Sequence, residues 1–313
     1  MKLAILMDPL SQLNLAKDTT LMILARAYAL GWSCVYFTPQ AIYCEQDEVY
    51  AEVTHIEVKS LDKQPLTTKL GYVQLSEFDI ILMRKDPPFD MEYIYLTYML
   101  ELVEKKGVLV ANKPQSLRDA NEKFWTLTHP QCIAPSVVSR NISVLRAFWH
   151  THQNVIYKPL SGMGGEGIFQ VDAQGLNLSV ILETLTRHQT VSIMAQRYIP
   201  AIKHTGDKRL LLINGTPIPY ALARMPAKGE LRGNLAAGGQ GQVVAITARD
   251  KWLCQAIGPM LKQKGLYFVG MDVIGEYVTE INVTSPTCMR EIAKETGIDI
   301  AGMLLDALSK AKV

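Results

Sequence analysis

Apolar runs alternate with helical patterns in the part of the chain before residue 121. Short apolar runs predict buried strands at residues 2–7, 34–37, 78–85 and 107–112. A helical run at 19–30 follows Asp18, a candidate N-cap, and stops at Gly31. A second helical run covers residues 91–106. Strands that alternate with helices in this way predict an open, parallel α/β sheet.

Charged and amide side chains follow the apolar runs where the predicted strands end. They are Asp8, Arg84, Lys85, Asp86, Asn112 and Lys113. In open α/β sheets ligands bind beyond the carboxyl ends of the strands, and two prolines make the turn after Asp86 rigid. Solvated loop charge is the alternative interpretation, and the residues alone leave both open.

The pattern changes from residue 121 onward. Strands are predicted at 134–139, 154–160, 167–171 and 192–200, with helices at 143–152 and 178–188 between them. Residues 207–224 predict a hairpin around Asn214-Gly215, the pair preferred in type I′ turns. A glycine-rich loop at 225–242, a helix and two last strands follow. These changes predict boundaries near residues 121 and 198.

A glycine-rich stretch, SGMGGEG, connects two of these strands. Gly162, Gly164 and Gly167 match G-x-G-x-x-G, but the residues after them predict a strand instead of the helix of a dinucleotide-binding fingerprint. The Lys and Ser/Thr that end a Walker A loop are missing. The remaining interpretation is a flap whose backbone N–H groups cover nucleotide phosphates, with Lys158 on the preceding strand. A merely flexible hairpin is the alternative.

Three oxygen-bearing side chains interrupt the last two apolar runs. Asp272 lies on one predicted strand, and Glu280 and Asn282 lie two apart on the next. Residues two apart on a strand share a face, and a buried carboxylate needs a paired charge or a cation. ATP brings Mg²⁺, which prefers hard oxygen ligands. The pattern therefore predicts a magnesium site next to the flap.

Composition narrows the class of protein. The 313 residues are 48% hydrophobic and 20% charged with a net charge of +2, which is ordinary for a soluble globular chain and favours neither nucleic acid nor membrane as a partner. The start of the chain does not fit a signal peptide, and no apolar run is long enough to span a bilayer, so we expect a cytoplasmic protein. Five cysteines without a C-x-x-C pattern predict neither zinc nor disulfides, and a structural role is favoured for Cys288.

Several motifs together resemble one known family. They are NEK, MRKDPPFD, NKPQSLRDANEK, YKPL-GMGG, AQ-Y-PA, DKR, ALAR…RGNLA-GG and G-DVIG…TEINVTSPT. The chain resembles the ATP-grasp superfamily and, within it, the prokaryotic-type glutathione synthetases. The resemblance covers essentially the whole chain and is weaker in residues 40–75.

The resemblance implies an architecture. It consists of an N-terminal parallel α/β (pre-ATP-grasp) domain at 1–121, followed by a two-subdomain ATP-grasp fold. The small subdomain at 122–197 carries the glycine flap. The C-terminal subdomain at 198–313 carries the magnesium site and a mobile lid loop at 225–242.

The resemblance also implies site residues. Those for the nucleotide are Lys123, Lys158, Gly162, Gly164, Gly165, Gly167, Gln196, Arg197, Tyr198, Ile199, Asp207 and Arg209. Those near the transferred phosphoryl group are Arg224, Arg232 and Asn234. Asp272, Glu280 and Asn282 are implied to bind Mg²⁺, with Mn²⁺ as the alternative metal. Contacts to the peptide substrate are implied for Arg84, Asp86, Ser285 and Thr287.

The implied reaction joins γ-glutamylcysteine to glycine with ATP, through an acyl phosphate, and yields glutathione, ADP and phosphate. The family also implies a homo-oligomer, a tetramer. A ligase of the same fold that adds glutamate or alanine to peptides or proteins is one alternative. A nucleotide-binding regulatory protein without catalysis is the other, although it could dispense with Arg224 and the three magnesium ligands, all of which are present.

Overall fold

A computed structural model describes residues 1–162, 164–227, 233 and 240–312. The first sheet is formed by β1 (Lys2–Leu6), β2 (Ser33–Phe37), β3 (Ile42–Glu45), β4 (Glu48–Glu57), β5 (Leu66–Gln74), β6 (Ile80–Met83) and β7 (Leu109–Ala111). Its strand order is β3-β4-β2-β1-β6-β7, with β5 also paired to β4. The helices of this part are α1 (Thr19–Ala29), α2 (Met91–Lys105) and α3 (Pro114–Asp119).

The prediction of a parallel sheet holds for β2, β1, β6 and β7 and misses the strands within residues 42–74. Those strands, β3, β4 and β5, pair in antiparallel fashion. Side chains of β4 alternate between buried and partly exposed, and most of β5 is exposed. The continuous apolar run that reveals a strand buried on both faces is therefore absent from their sequences. The predicted N-cap of α1 is confirmed, because the Asp18 carboxylate accepts from the Leu21 N–H at 2.7 Å.

The second sheet is entirely antiparallel. It contains β8 (Ser136–Ser139), β9 (Val155–Pro159), β10 (Phe169–Val171) and β11 (Ile193–Arg197), in the order β10-β9-β11-β8. The associated helices α4 (Ile142–His152) and α5 (Leu178–Leu185) contribute Leu145 and Leu182 to a separate core around Tyr157. The sheet therefore has a hydrophobic core of its own.

The third sheet follows the short α6 (Ile202–Thr205). It contains β12 (Asp207–Ile213), β13 (Thr216–Met225), β14 (Gln240–Ala245), β15 (Phe268–Ile274) and β16 (Tyr277–Asn282), in the order β14-β13-β12-β15-β16. The predicted β12–β13 hairpin is confirmed, with Asn214 and Gly215 at φ 48° and 77° as a type I′ turn requires. The loop prediction for 225–242 is wrong at its end, because residues from Gln240 onward pair with β13.

Helices α7 (Ala248–Gln263), α8 (Met289–Thr296) and α9 (Ile300–Lys312) complete the chain. The first and third sheets share their hydrophobic packing. Ala4 and Leu210 belong to one buried cluster, and Leu3 and Leu211 belong to another that includes Leu304 of α9. These two sheets thus form one packed body, to which the second sheet is joined. Among the described helices, none has the length and apolar character needed to cross a bilayer.

Asn112 connects the first sheet to the third. Its amide nitrogen donates to the carbonyls of Phe268 at 2.8 Å and Val283 at 2.6 Å. Its amide oxygen accepts from the Phe268 N–H at 3.0 Å. One buried side chain therefore satisfies backbone groups where β15 begins and just after β16 ends.

We expect Asn112→Ala to lower the free energy of unfolding by about 2 kcal/mol or more, because three buried backbone groups lose their partner. The measurement is urea unfolding, with a lower midpoint and an unchanged slope. The control is Asn14→Ala, since Asn14 is exposed and bonds only locally, to the Ala16 N–H. Equal midpoints for the two variants would show that Asn112 does not connect the sheets.

Candidate functional site

The sheets meet at a cleft of about 320 Å³. Most predicted site residues line it: Asp86, Lys123, Lys158, Gly162, Gly164, Gly165, Gln196, Arg197, Tyr198, Ile199, Asp207, Arg209, Arg224, Asp272, Glu280, Asn282, Ser285 and Thr287. Arg84 and Gly167 lie outside this lining. Arg232 and Asn234, together with most of the predicted lid loop, fall outside the residues that the structure describes.

The pairing of strands in the third sheet brings together a set of charged side chains that line the cleft and are here called its floor. Asp207 pairs with Arg224 across β12 and β13, Arg209 pairs with Asp272 across β12 and β15, and Asp272 pairs with Glu280 across β15 and β16. Directly opposed residues project from the same face of an antiparallel pair. The register alone therefore brings these charges together.

Two arginines meet Asp272 on this floor. Arg209 approaches with two nitrogens, Nε and Nη2, the latter 2.9 Å from Oδ2. Arg224 Nη2 lies 2.9 Å from the same oxygen and also donates to Asp207. Burial opposes ionisation of Asp272, but the two guanidiniums outweigh it and lower its pKa to about 2. Burial raises the pKa of Asp207 to about 7 against the effect of Arg224. Asp272 is therefore the permanently charged carboxylate of the pair.

Two lysines lie between the floor and the glycine stretch. Lys123 Nζ donates to the Gly162 carbonyl at 3.2 Å, contacts Glu122, and lies 3.7 Å from Glu280 Oε1. Burial disfavours its charge, but Glu280 and Glu122 outweigh burial and raise its pKa. Lys158 Nζ donates to the Thr279 carbonyl at 3.2 Å, and burial lowers its pKa. Both ammonium groups are placed to meet an anion in the cleft.

The glycine stretch adopts a backbone that only glycine takes readily. Gly162, Gly164, Gly165 and Gly167 have φ values of 105°, 69°, 79° and 70°. Gly167 is also sterically restricted, since a Cβ there would lie 3.2 Å from Cγ of Pro159. As predicted, the stretch connects two strands, β9 and β10, and it lies over the cleft.

The end of β11 forms another part of the lining. Gln196, Arg197, Tyr198 and Ile199 all border the cleft. The N–H groups of Arg197 and Tyr198 donate to the carbonyls of Pro135 and Asn154, each at 2.9 Å. A ligand bound here must therefore use other backbone groups of this stretch.

The predicted metal ligands supply a suitable set of donors. The described residues contain no cluster of three His, Cys, Asp or Glu side chains able to hold a metal. Asp272 and Glu280 instead offer two carboxylates, and the Asn282 side chain lies 3.4 Å from Asp272 Oδ2. Mg²⁺ is commonly held by one or two carboxylates together with substrate phosphates and water. The residues present fit that ion.

One wall of the cleft joins the N-terminal domain to the segment after β16. The Asp86 carboxylate accepts from the Ser285 hydroxyl. Arg84 is buried behind this wall, where Nη2 donates to the Pro286 carbonyl at 3.0 Å and Nε to Thr20 at 3.2 Å. The Arg84 side chain therefore stabilises the backbone at Pro286 and does not line the cleft. Burial raises the pKa of the adjacent Cys288 thiol, in line with a structural cysteine.

Sequence reasoning missed two residues of this site. Glu122 was part of a quoted motif without a role, and it lines the cleft in contact with Lys123. Gly270 lies opposite Asn282 in the sheet. A Cβ on Gly270 would lie 2.9 Å from Arg209 Cδ and 3.0 Å from Pro286 Cβ. The sequence signal for Gly270 was a glycine two positions before Asp272, one of the predicted metal ligands.

Comparison with known proteins gives consistent matches along the chain. The model "Prokaryotic glutathione synthetase, N-terminal domain" matches residues 1–118. The model "Prokaryotic glutathione synthetase, ATP-grasp domain" matches residues 122–297. The glutathione synthetase of Pseudomonas putida is 52% identical over 312 residues, which is 99% of this chain and 98% of that protein. The Escherichia coli K12 glutathione synthetase is 49% identical over 309 residues, 98% of this chain and 97% of that protein.

Solved structures share the fold at low identity. The D-cycloserine synthetase DcsG superposes with a TM-score of 0.69 at 14% identity and covers 100% of both chains. The ATP-grasp ligase PsnB complexed with its minimal precursor gives 0.66 at 16% identity over 99% of both chains. These neighbours support the ATP-grasp fold and carry no information about the substrate here.

We expect Gly270→Ala to lower the free energy of unfolding by about 1–3 kcal/mol, the usual cost of overpacking, because the new methyl group displaces Arg209. Urea unfolding of Gly270→Ala, Arg209→Ala and the double variant forms a double-mutant cycle. In the double variant the Arg209 side chain no longer opposes the methyl group, so the two losses should sum to more than the measured loss. Strict additivity would contradict the proposed contact.

Proposed function

Since the chain belongs to the prokaryotic glutathione synthetase family, we propose that it joins γ-glutamylcysteine to glycine and converts ATP to ADP and phosphate. Family membership and the ATP-grasp fold make the chain an ATP-dependent ligase with ATP as co-substrate. The observation that carries the proposal is that one cleft is lined by groups suited to each part of this reaction. They are the glycine stretch with Lys123 and Lys158, the oxygen donors with Arg209 and Arg224, and Asp86 with Ser285.

The nucleotide occupies the flap end in this proposal. Lys123 and Lys158 contact phosphate oxygens, and the stretch from Gly162 to Gly167 covers them with backbone N–H groups. The end of β11 receives adenine, while Asp207 and Arg209 contact the rest of the nucleotide. Two buried ammonium groups and an N–H-rich loop suit a polyphosphate.

Asp272, Glu280 and Asn282 would hold Mg²⁺, or Mn²⁺ in its place. The ion would supply positive charge that offsets the negative charge of the phosphate oxygens. Asp272 is well placed for this role, because its low pKa keeps it an anion at neutral pH. Arg209 and Arg224 keep the buried carboxylate compensated when no metal is present.

The chemistry needs an activated carboxylate. A carboxylate does not react with an amine, because its leaving group would be oxide, whereas an acyl phosphate has a good leaving group. Arg224 is the proposed residue that faces the transferred phosphoryl group and the oxyanion formed when glycine attacks. Its ion pairs with Asp207 and Asp272 fix the guanidinium on the floor of the cleft, so no reorganisation is needed during reaction.

We further propose residues 1–121, 122–197 and 198–313 as the domain limits, a homotetramer as the assembly and the cytoplasm as the location. The sheets support the limits, since the second sheet spans residues 136–197 and the third begins at Asp207. The assembly stays a prediction from the family, and the location stays a prediction from the sequence.

We expect phosphate release from ATP and Mg²⁺ only when γ-glutamylcysteine and glycine are present together. The measurement adds each substrate alone, then both, and identifies the product by mass. Release with another peptide or amino-acid pair, but not with this one, would move the protein to a different ligase activity. Tight ATP binding without release under any pairing would favour the regulatory alternative.

We expect Glu280→Ala to lower that rate by at least about 100-fold, since a catalytic metal contributes several kcal/mol to the barrier. The matched control is Glu276→Ala, because Glu276 is an exposed glutamate in the same β15–β16 hairpin. Wild-type turnover by Glu280→Ala would exclude Glu280 as a metal ligand.

We expect Gly164→Val to raise the KM for ATP by about 5- to 30-fold, from about 1–2 kcal/mol of strain at a left-handed position. A Cβ on Gly164 would meet no atom within 4 Å, so backbone conformation is the property tested. Gly164→Asn is the control, because asparagine tolerates this conformation better. Equal KM values for the two variants would argue against the flap conformation.

A further inference from the structure

Glu122 is fixed to the edge strand that carries two of the predicted metal ligands. β16 is the last strand in the order of the third sheet, and its Ile281 N–H donates to the Glu122 carbonyl at 2.8 Å. Ile281 lies between Glu280 and Asn282. The Glu122 carboxylate lines the cleft and contacts the Lys123 ammonium. This carboxylate has no part in the reaction proposed above.

Three oxygen groups surround the Lys123 ammonium. The Glu122 carboxylate is in contact with it, the Gly162 carbonyl accepts from Nζ at 3.2 Å, and Glu280 Oε1 lies 3.7 Å from Nζ. Lys123 is only 4% exposed, so its charge needs a carboxylate at short range. Among the described residues, Glu122 and Glu280 are the two that supply a carboxylate within 4 Å.

Glu280 has a competing role, because it is also a predicted magnesium ligand. A carboxylate that binds a divalent cation shares its negative charge with that cation and compensates a neighbouring ammonium less. Lys123 and the cation would then be like charges a few ångströms apart, where repulsion is strong in a protein interior. Glu122 is not one of the predicted ligands, so its charge remains with Lys123 when Glu280 is engaged.

We propose that Glu122 is a positioning residue that holds the Lys123 ammonium at the glycine stretch and leaves Glu280 free to bind the divalent cation. The inference rests on the proposed function and deepens it, because it explains how Lys123 and the cation can meet the same phosphates. Without the Glu122 carboxylate, Lys123 turns to Glu280, and metal binding has to break that ion pair. The binding of metal and the binding of nucleotide then support each other less.

The test measures how strongly Mg²⁺ supports the binding of ATP. Isothermal titration calorimetry gives the Kd for ATP in excess Mg²⁺ and in EDTA, for the wild type and for Glu122→Gln, which removes the charge and keeps the shape. In Mg²⁺ we expect the Kd of the variant to rise by about 10-fold, the loss that follows removal of a hydrogen bond to a charged group. In EDTA it should stay within about threefold of the wild-type Kd, since losing a negative charge does not repel an anion.

Two further variants separate this role from others. Glu276→Gln is the matched control, because Glu276 is an exposed glutamate of the same β15–β16 hairpin and lies outside the cleft lining. It should leave both Kd values at those of the wild type. In a Lys123→Met background, adding Glu122→Gln should change the Kd in Mg²⁺ by less than about twofold, because no ammonium remains to be positioned.

Three results would overturn the inference while the proposed function stands. They are a wild-type Kd in Mg²⁺ for Glu122→Gln, an equal weakening in Mg²⁺ and in EDTA, and a full loss that persists in the Lys123→Met background. The second is the result of a merely structural role, and the third is that of a carboxylate acting on the metal directly. A wild type that binds ATP equally well in Mg²⁺ and in EDTA would instead contradict the proposed metal site.

Discussion

The site depends on the compensation of buried negative charge. Asp272 is almost fully inaccessible to water, and an isolated carboxylate in that position would take up a proton or destabilise the fold. Arg209 and Arg224 prevent this, and they can reach Asp272 because β12 and β13 are in register with β15. The same guanidiniums that keep Asp272 ionised also place positive charge on the floor of the cleft. Under the proposed function that charge faces the transferred phosphoryl group, and its orientation is fixed before any substrate arrives.

Much of this could be predicted from the sequence because the relevant signals are local. Apolar runs located the parallel strands, Asp18 located the start of a helix, and Asn214-Gly215 located a hairpin. The spacing of Glu280 and Asn282 was enough to put both on one face, and the structure places Asp272 directly opposite Glu280. The question of which positive charge faces Asp272 had only a partial answer in the sequence. Mg²⁺ was the predicted partner and stays a prediction, whereas the structure shows two arginines at Asp272 whose approach depends on strand pairing over long distances.

The features that escaped prediction depend on tertiary contacts. Strand β5 is largely exposed and has little apolar character, so its pairing with β4 determines its structure. Gly270 is required by the side chains of Arg209 and Pro286, neither of which is near it in sequence. Arg84 stands in a charged turn that suggests ligand contact, yet its guanidinium turns inward to the Pro286 carbonyl. A charge pattern locates a functional region, but burial decides which of its members face the ligand.

The separate core of the second sheet has an energetic consequence. Its apolar cluster is separate from the two clusters of the rest of the molecule, and polar contacts contribute to joining the two. Two of these contacts are Lys158 with the Thr279 carbonyl and Arg197 with Tyr277. Such a unit opens at a lower free energy than the whole molecule unfolds. A nucleotide that contacts both sides of the cleft binds only the closed form, so its concentration sets the population of that form by mass action. Cellular ATP would then act as a structural component that holds the two bodies together.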